Sequence, residues 1–343
     1  MNANNGVQHL VAMSRDEVIA PLVNILPLDK PGDVYMYIAK HTWDKLAEME
    51  SKVPDKSIFD SVFETGRSLQ KAYSDAPLGS EEKAIAYQKA AEWRNANRDV
   101  RLQMFSVYWM RITSAKDQRK ICKRNVMTLG YGGTKYGFGQ QVIEDSRDMS
   151  EYLRDKEHLW GAMLGALVFD TCYEKLRGPA NMLQMFQSLA ARVNETGKYL
   201  SWNSPITNFP VVQAYRKPVT KRTKLRYGEE ELKVQVECWE EASLNEASSK
   251  TGASPNIVHS FDAAHLATVV DSADFTVSVI HDSFGSHAGN MHKLFPLVRQ
   301  KFVELYQSDP LEGLLSQLDS LDLMPERGKL DVTRIMESDY AFC

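Results

Sequence analysis

The stretch Arg119-Lys-Ile-Cys-Lys123-Arg-Asn-Val-Met127-Thr-Leu-Gly-Tyr131-Gly places two cations, a flexible apolar side chain and a phenol at steps of four. Four helical residues turn about 400°, so each of these lags the last by about 40° and all fall within an arc of about 120°. Such a face, roughly 18 Å long, suits a nucleoside triphosphate. Arg119 and Lys123 would meet the phosphates, and Met127 and Tyr131 the base and sugar. The same spacing also belongs to an ordinary solvated basic helix face. The glycines that follow (Gly130, Gly132, Gly133, Gly137 and Gly139) match neither GxGxxG nor GxxxxGK[ST], so they read as a helix stop and turn rather than a phosphate loop.

A second candidate is Asp282, at the end of the apolar run Val277-Ser-Val-Ile280. A strand that runs into a carboxylate holds a hard oxygen ligand rigidly, as Mg²⁺ requires; an Asp opening a turn looks the same. Asn256, His259, Ser260, Asp262 and His265 form a polar cluster on an apolar frame. It lacks GxSxG and the spacing of a Ser/His/Asp hydrolase.

The elements that must position these residues read as follows. Residues 6–48 are helical, broken at Pro27 and Pro31-Gly32. Residues 51–85 read as loops around short helices, and 80–125 as a strongly helical stretch. Thr220–Tyr227 and Leu232–Trp239 alternate around Gly228 and read as a hairpin. It carries Arg216, Lys217, Lys221, Arg222, Lys224 and Arg226 with no acid between 216 and 226. A helix is expected from Met291 to Leu305. The chain has 343 residues, 43% apolar and 25% charged, with a net charge of −4. This excludes a disordered or collagen-like chain, and any attraction to nucleic acid must be local. No apolar run approaches membrane-spanning length, and the first residues have no secretory pattern. Cys122, Cys172, Cys238 and Cys343 make no CxxC and read as reduced thiols.

Together these segments resemble the C-terminal part of a bacteriophage-type single-subunit DNA-directed RNA polymerase. Lys123–Gly132 resembles motif B, the fingers helix that receives the incoming nucleotide. Ile280-His281-Asp282-Ser283-Phe284-Gly285 resembles motif C, its Ser-Phe-Gly favouring RNA over DNA synthesis. Gly6-Val-Gln8-His9 with Arg15-Asp-Glu-Val18 resembles the end of motif A. Asn256-Ile-Val-His259-Ser and Glu337-Ser-Asp-Tyr-Ala-Phe-Cys343 match further signatures.

The resemblance implies an α+β, mostly α, right-hand polymerase fold. Residues 1–14 would end the motif A region. Residues 15–254 would be mainly fingers, with a promoter-specificity hairpin near 215–240. Residues 255–343 would complete the palm and C-terminal foot. It implies that Lys123 contacts the triphosphate and serves as general acid for departing pyrophosphate. Arg119 would also face the phosphates. Tyr131 would sit at the ribose with His259 nearby, and Asp282 would bind Mg²⁺. The hairpin cations would lie on DNA. The implied partners are DNA template and promoter, nascent RNA, ribonucleoside triphosphates and an N-terminal polymerase fragment, in the cytoplasm of an infected bacterial host and with no membrane. The motif A aspartate, five residues before Gly6, falls at Met1. The chain alone is therefore expected to be inactive or nearly so, with apolar palm surface exposed. A split gene, a gene fragment and a non-catalytic nucleic-acid-binding remnant all fit that expectation, and a template-dependent DNA polymerase is a third function class.

Overall fold

The computed structural model describes residues 6–147, 158–228, 230–280 and 283–342. Asp282, His281 and the positions of Met1 and Cys343 lie outside the described residues. The chain forms two compact units: 1–32, 130–132 and 178–343 make one, and 33–129 with 133–177 the other. The stretch 15–254, expected to be mainly fingers, contributes to both.

The second unit is helical throughout its described residues. Its elements are α2 (Val34–Ser51), α3 (Ile58–Asp75), α4 (Glu81–Ala96), α5 (Arg98–Gln103), α6 (Phe105–Met110), α7 (Ala115–Leu129), α8 (Lys135–Asp145) and α9 (His158–Lys175). Its core packs Ile38, Leu46, Trp109, Cys122, Val126, Phe138, Trp160 and Cys172, all buried. The indoles are pinned to backbone: Trp109 Nε1 donates to the Trp160 carbonyl at 3.0 Å, and Trp160 Nε1 to that of Arg101 at 2.6 Å. Burial pushes the Cys122 thiol up to about 12 and that of Cys172 well above its ordinary value, so both stay protonated and inert. Helices α8 and α9 touch backbone to backbone, because a Cβ on Gly165 would meet Gly139 N at 2.3 Å. That contact accounts for Gly139 by packing.

Residues 51–85 depart from expectation. Instead of loops around short helices, α3 runs for 18 residues. Between Pro54 and Pro77 there is no proline, and Phe59 and Gly66 are buried on one side. Polar composition there marks an amphipathic surface helix rather than a loop.

The first unit contains α1 (Gly6–Ser14), α10 (from Gly178 to Glu195, after its first residue Arg177), α11 (Glu246–Ser272), α12 (Met291–Gln307) and α13 (Pro310–Gln317). Among the described residues it also carries three two-stranded antiparallel sheets: β1 (Leu200–Asn203) with β2 (Pro210–Gln213), β3 (Arg216–Tyr227) with β4 (Glu230–Leu244), and β5 (Ser278–Ile280) with β6 (Ser283–Gly285). The expected α-rich fold with small antiparallel sheets is thus the one observed. Leu10, Phe186, Ile257, Phe261, Phe284, Val298, Phe302 and Leu315 fill the core. The polar cluster at 256–265 lies on one 27-residue helix, α11, which Asn245 caps by accepting from Ser248 N at 3.1 Å. No helix among the described residues is long and apolar enough to cross a membrane.

Candidate nucleotide and nucleic-acid site

Helix α7 buries Ile121, Cys122, Asn125, Val126 and Leu129 and exposes Lys123 and Met127 on its other side. Its cations are not equivalent. Arg119 Nε donates to Asp33 Oδ2 at 2.5 Å, and its guanidinium lies 5.2 Å from the centre of the Tyr35 ring. Asp33 also caps α2, accepting from Met36 N at 2.9 Å. Arg124 is held by Glu144 at 2.7 Å and Asp145 at 3.4 Å. Lys123 Nζ stands 6.0 Å from the Tyr35 ring centre, so one ring faces both expected phosphate ligands. Burial raises the Tyr35 phenol while Arg119 opposes the rise; the ring stays neutral and its face open to cations. Sequence reasoning missed Asp33 and Tyr35. The available signal was an Asp immediately before the helical pattern at Val34.

The single helical face expected for Arg119, Lys123, Met127 and Tyr131 needs correction. The helix ends at Leu129, and Tyr131 lies beyond it in a turn. Close approach stops the helix: a Cβ on Gly130 would meet the backbone carbon of Gly6 at 2.9 Å. Gly132 then takes φ +74°, against Pro255 of α11, the left-handed conformation that closes helix ends. Arg119, Lys123 and Met127 therefore belong to one compact unit and Tyr131 to the other.

Within its own unit Tyr131 has a built environment. Its ring stacks on His259 with centroids 4.6 Å apart and planes at 26°. Its hydroxyl accepts from the Gly6 N–H at 3.2 Å. His259 is exposed at its position on α11. Two expected site residues, 128 positions apart in sequence, thus form one aromatic step.

Beneath α1 and α11 lies a buried polar relay that the sequence did not announce. His9 meets the Tyr306 hydroxyl through Nδ1 and Asp262 Oδ1 through Nε2, the latter at 3.3 Å. Burial raises the Tyr306 phenol well above its ordinary range. Tyr306 therefore keeps its proton and can donate to Nδ1, while Nε2 faces the Asp262 carboxyl. His265 is also buried, donates to the Val298 carbonyl at 2.8 Å, and is pushed down to about 4 mainly by desolvation. It packs against Phe284, Phe302 and Phe342, so it is a core histidine.

The six hairpin cations lie on the β3–β4 ribbon and are all exposed. The register pairs Lys221 with Val236, Arg222 with Gln235, Lys224 with Lys233, Leu225 with Leu232 and Arg226 with Glu231. Because strand residues alternate between faces, Arg222, Lys224, Arg226 and Lys233 share a face with Glu231 and Glu237. Lys221 falls among Val219, Leu225, Leu232, Val234 and Val236 on the other. Lys224 Nζ is 2.6 Å from Glu231. Arg216 stands near the Tyr199 ring at 5.8 Å, and Lys217 pairs with Ser243 just before a register shift. Three of the six cations, Arg222, Lys224 and Arg226, thus share one charged face of an amphipathic ribbon, partly compensated by acids from its partner strand.

Among the described residues no group of three His, Cys, Asp or Glu side chains could hold a metal ion. The expected ligand Asp282 is outside them.

The DNA-dependent RNA polymerase family matches residues 2–322 of this chain. T7 RNA polymerase of Escherichia phage T7 is 30% identical over 372 residues, which cover 98% of this chain and 39% of that protein. DNA-directed RNA polymerase 2, chloroplastic/mitochondrial, of Arabidopsis thaliana is 28% identical over 351 residues, covering 98% and 29%. DNA-directed RNA polymerase 2A of Nicotiana tabacum is 28% identical over 351 residues, covering 98% and 89%. The chain spans about two fifths of the length of the phage relative. With a match over nearly the whole chain, added to the motif B, motif C and Gly-x-Gln-His segments, this protein belongs to the DNA-dependent RNA polymerase family.

Proposed function

We propose that this chain carries the nucleotide-receiving part of a DNA-templated RNA polymerase, with ribonucleoside triphosphates as substrates and pyrophosphate as the leaving group. The observation that most supports this reading is the Tyr131–His259 stack, tethered by Gly6 and reached directly in sequence from a helix that exposes Lys123. Lys123 would bind the triphosphate and give a proton to the departing pyrophosphate as the RNA 3′-oxygen attacks the α-phosphorus. Arg119, ion-paired with Asp33, would steady the phosphates beside Tyr35. Met127, half exposed, would lie along the base. Tyr131 would read the ribose 2′-hydroxyl, with His259 holding its ring.

When bound, Mg²⁺ would supply charge neutralisation at the phosphates. Asp282 is the proposed ligand, and the chemistry assigned to the described residues stops at their own side chains. DNA would lie on the charged face of the ribbon. Residues 15–254 would serve mainly as fingers, and 1–14 with 255–343 as palm. Action in the cytoplasm of an infected host belongs to the same reading.

The test is primer extension on a DNA template with Mg²⁺ and four ribonucleotides. It is run with the chain alone and with a separate polypeptide that supplies a motif A aspartate. Synthesis in either arm is the expected result. Template binding without synthesis in either arm favours the second reading, a non-catalytic nucleic-acid-binding chain, which draws on the exposed ribbon cations. Tyr131→Phe is expected to retain synthesis and to lose discrimination against deoxynucleotides; unchanged sugar selectivity sinks the Tyr131 assignment.

A further inference from the structure

A second concavity opens on the face of α11 beyond His259. It is a trough of about 530 Å³ between α11 and the β1–β2 pair, lined among others by Phe209, Val211, Asn256, His259, Ala263 and Ala267. That is the size range of small-ligand clefts. The two walls are fastened together: Trp202 Nε1 donates to Ser260 Oγ at 3.0 Å, and Ser204 Oγ to the Ser260 carbonyl at 3.0 Å. The trough is therefore framed by hydrogen bonds, with Ser204, Thr207 and Phe209 supplied by the turn between β1 and β2.

Its chemistry is specific. No Asp, Glu, Lys or Arg lines it, so it offers a phosphate no Lys or Arg. Ala263 and Ala267, one helical turn apart, leave a smooth apolar wall. Phe209 stands opposite with 68% of its surface exposed, an aromatic face without a stacking partner among the described ring contacts. At the polar end the Asn256 amide nitrogen gives its hydrogens to Gln213 Oε1 at 3.1 Å and the Tyr215 hydroxyl at 3.3 Å. Both donors are committed, so Asn256 has only its carbonyl oxygen left, an acceptor. A flat, uncharged, largely apolar ligand with an N–H donor at one edge fits these walls.

We propose that this trough binds one unpaired nucleobase carrying an exocyclic amino group, stacked on Phe209 against the Ala263–Ala267 wall, its amino group donating to Asn256. The Tyr131–His259 step adjoins it through His259, so a base in the trough is a second contact of the same chain with nucleic acid. The inference rests on the nucleic-acid reading above, and on none of the chemistry assigned to Lys123, Tyr131 or Asp282.

The test uses the full chain and short single-stranded oligoribonucleotides with one central 2-aminopurine, or one central purine that lacks the amino group. Binding is expected to quench 2-aminopurine emission. Phe209→Ala should weaken binding about tenfold, the scale of losing one base–aromatic stack, and Phe209→Tyr should restore it. Ala267→Leu should give a similar loss by filling the trough. Phe209 and Ala267 are both exposed, so melting temperatures should not move. The purine oligonucleotide should compete more weakly than the 2-aminopurine one. Wild-type affinity in both Phe209→Ala and Ala267→Leu, or no quench with the unaltered chain, overturns the site. Equal affinity for the two bases overturns the Asn256 contact. Quenching that persists where primer extension fails separates this site from the polymerase reading.

Discussion

Helix α7 and the β3–β4 ribbon are both basic in sequence, yet they present their charge in opposite ways. On α7 two of the five cations are claimed by neighbouring elements: Asp33 takes Arg119, and Glu144 with Asp145 takes Arg124. Of the others, Lys123 stands exposed over a partly buried ring, which puts its charge at a defined place. On the ribbon six cations face solvent from strands that pack on nothing broad, with Lys224–Glu231 the ion pair on its charged face among the described contacts. A packed helix holds several of its cations at defined places; a ribbon leaves its cations as a more diffuse field. The first suits chemistry, where a misplaced proton donor loses rate. The second suits backbone attraction, where each cation adds to affinity whatever the base sequence.

That contrast can be broken at several points. The largest effect is expected for Lys123→Met, which should slow nucleotide addition at least about a hundredfold, the usual contribution of a positioned proton donor, measured by single-turnover primer extension. If Arg222→Gln slows the same step as much, the contrast fails. Next, Arg222→Gln with Arg226→Gln should leave single-turnover chemistry unchanged and flatten the slope of log affinity against log salt by about two, read from DNA-binding titrations. A third comparison is structural. Asp33→Ala removes both the α2 cap and the Arg119 partner, and should cost about 1–2 kcal/mol in urea unfolding. Asp33→Asn, which can still cap, should cost less. The smallest effect is expected across the ribbon. The Lys224–Glu231 coupling from a double-mutant cycle should fall below about 1 kcal/mol. A larger coupling would show that the ribbon, too, positions its charges.

Much of the fold was legible because its signals are local. The hairpin around Gly228 appeared as β3 and β4, the run ending at Ile280 as β5, and the tail from Met291 as α12, each with ends shifted by a few residues. Alternation and helical spacing are short-range patterns that survive into the folded chain. The segment 51–85 was misread because charge-rich composition resembles a loop until its apolar residues, Phe59 and Gly66 among them, meet a neighbour. Tyr131 was put on the wrong element for a related reason. The helical count runs smoothly through Gly130, and only the approach of the Gly6 backbone ends it.

The sequence by itself determined the residue types available for chemistry, the family, and the alternation that gives the ribbon its two faces. These depend on local covalent geometry and on motif identity. Tertiary structure alone decided that Asp33 pairs with Arg119, that Tyr131 stacks on His259, and that His9 joins Tyr306 to Asp262. Each of those pairings joins residues far apart in the chain. Charge and ring contacts act over a few ångströms of space, whatever the distance in sequence.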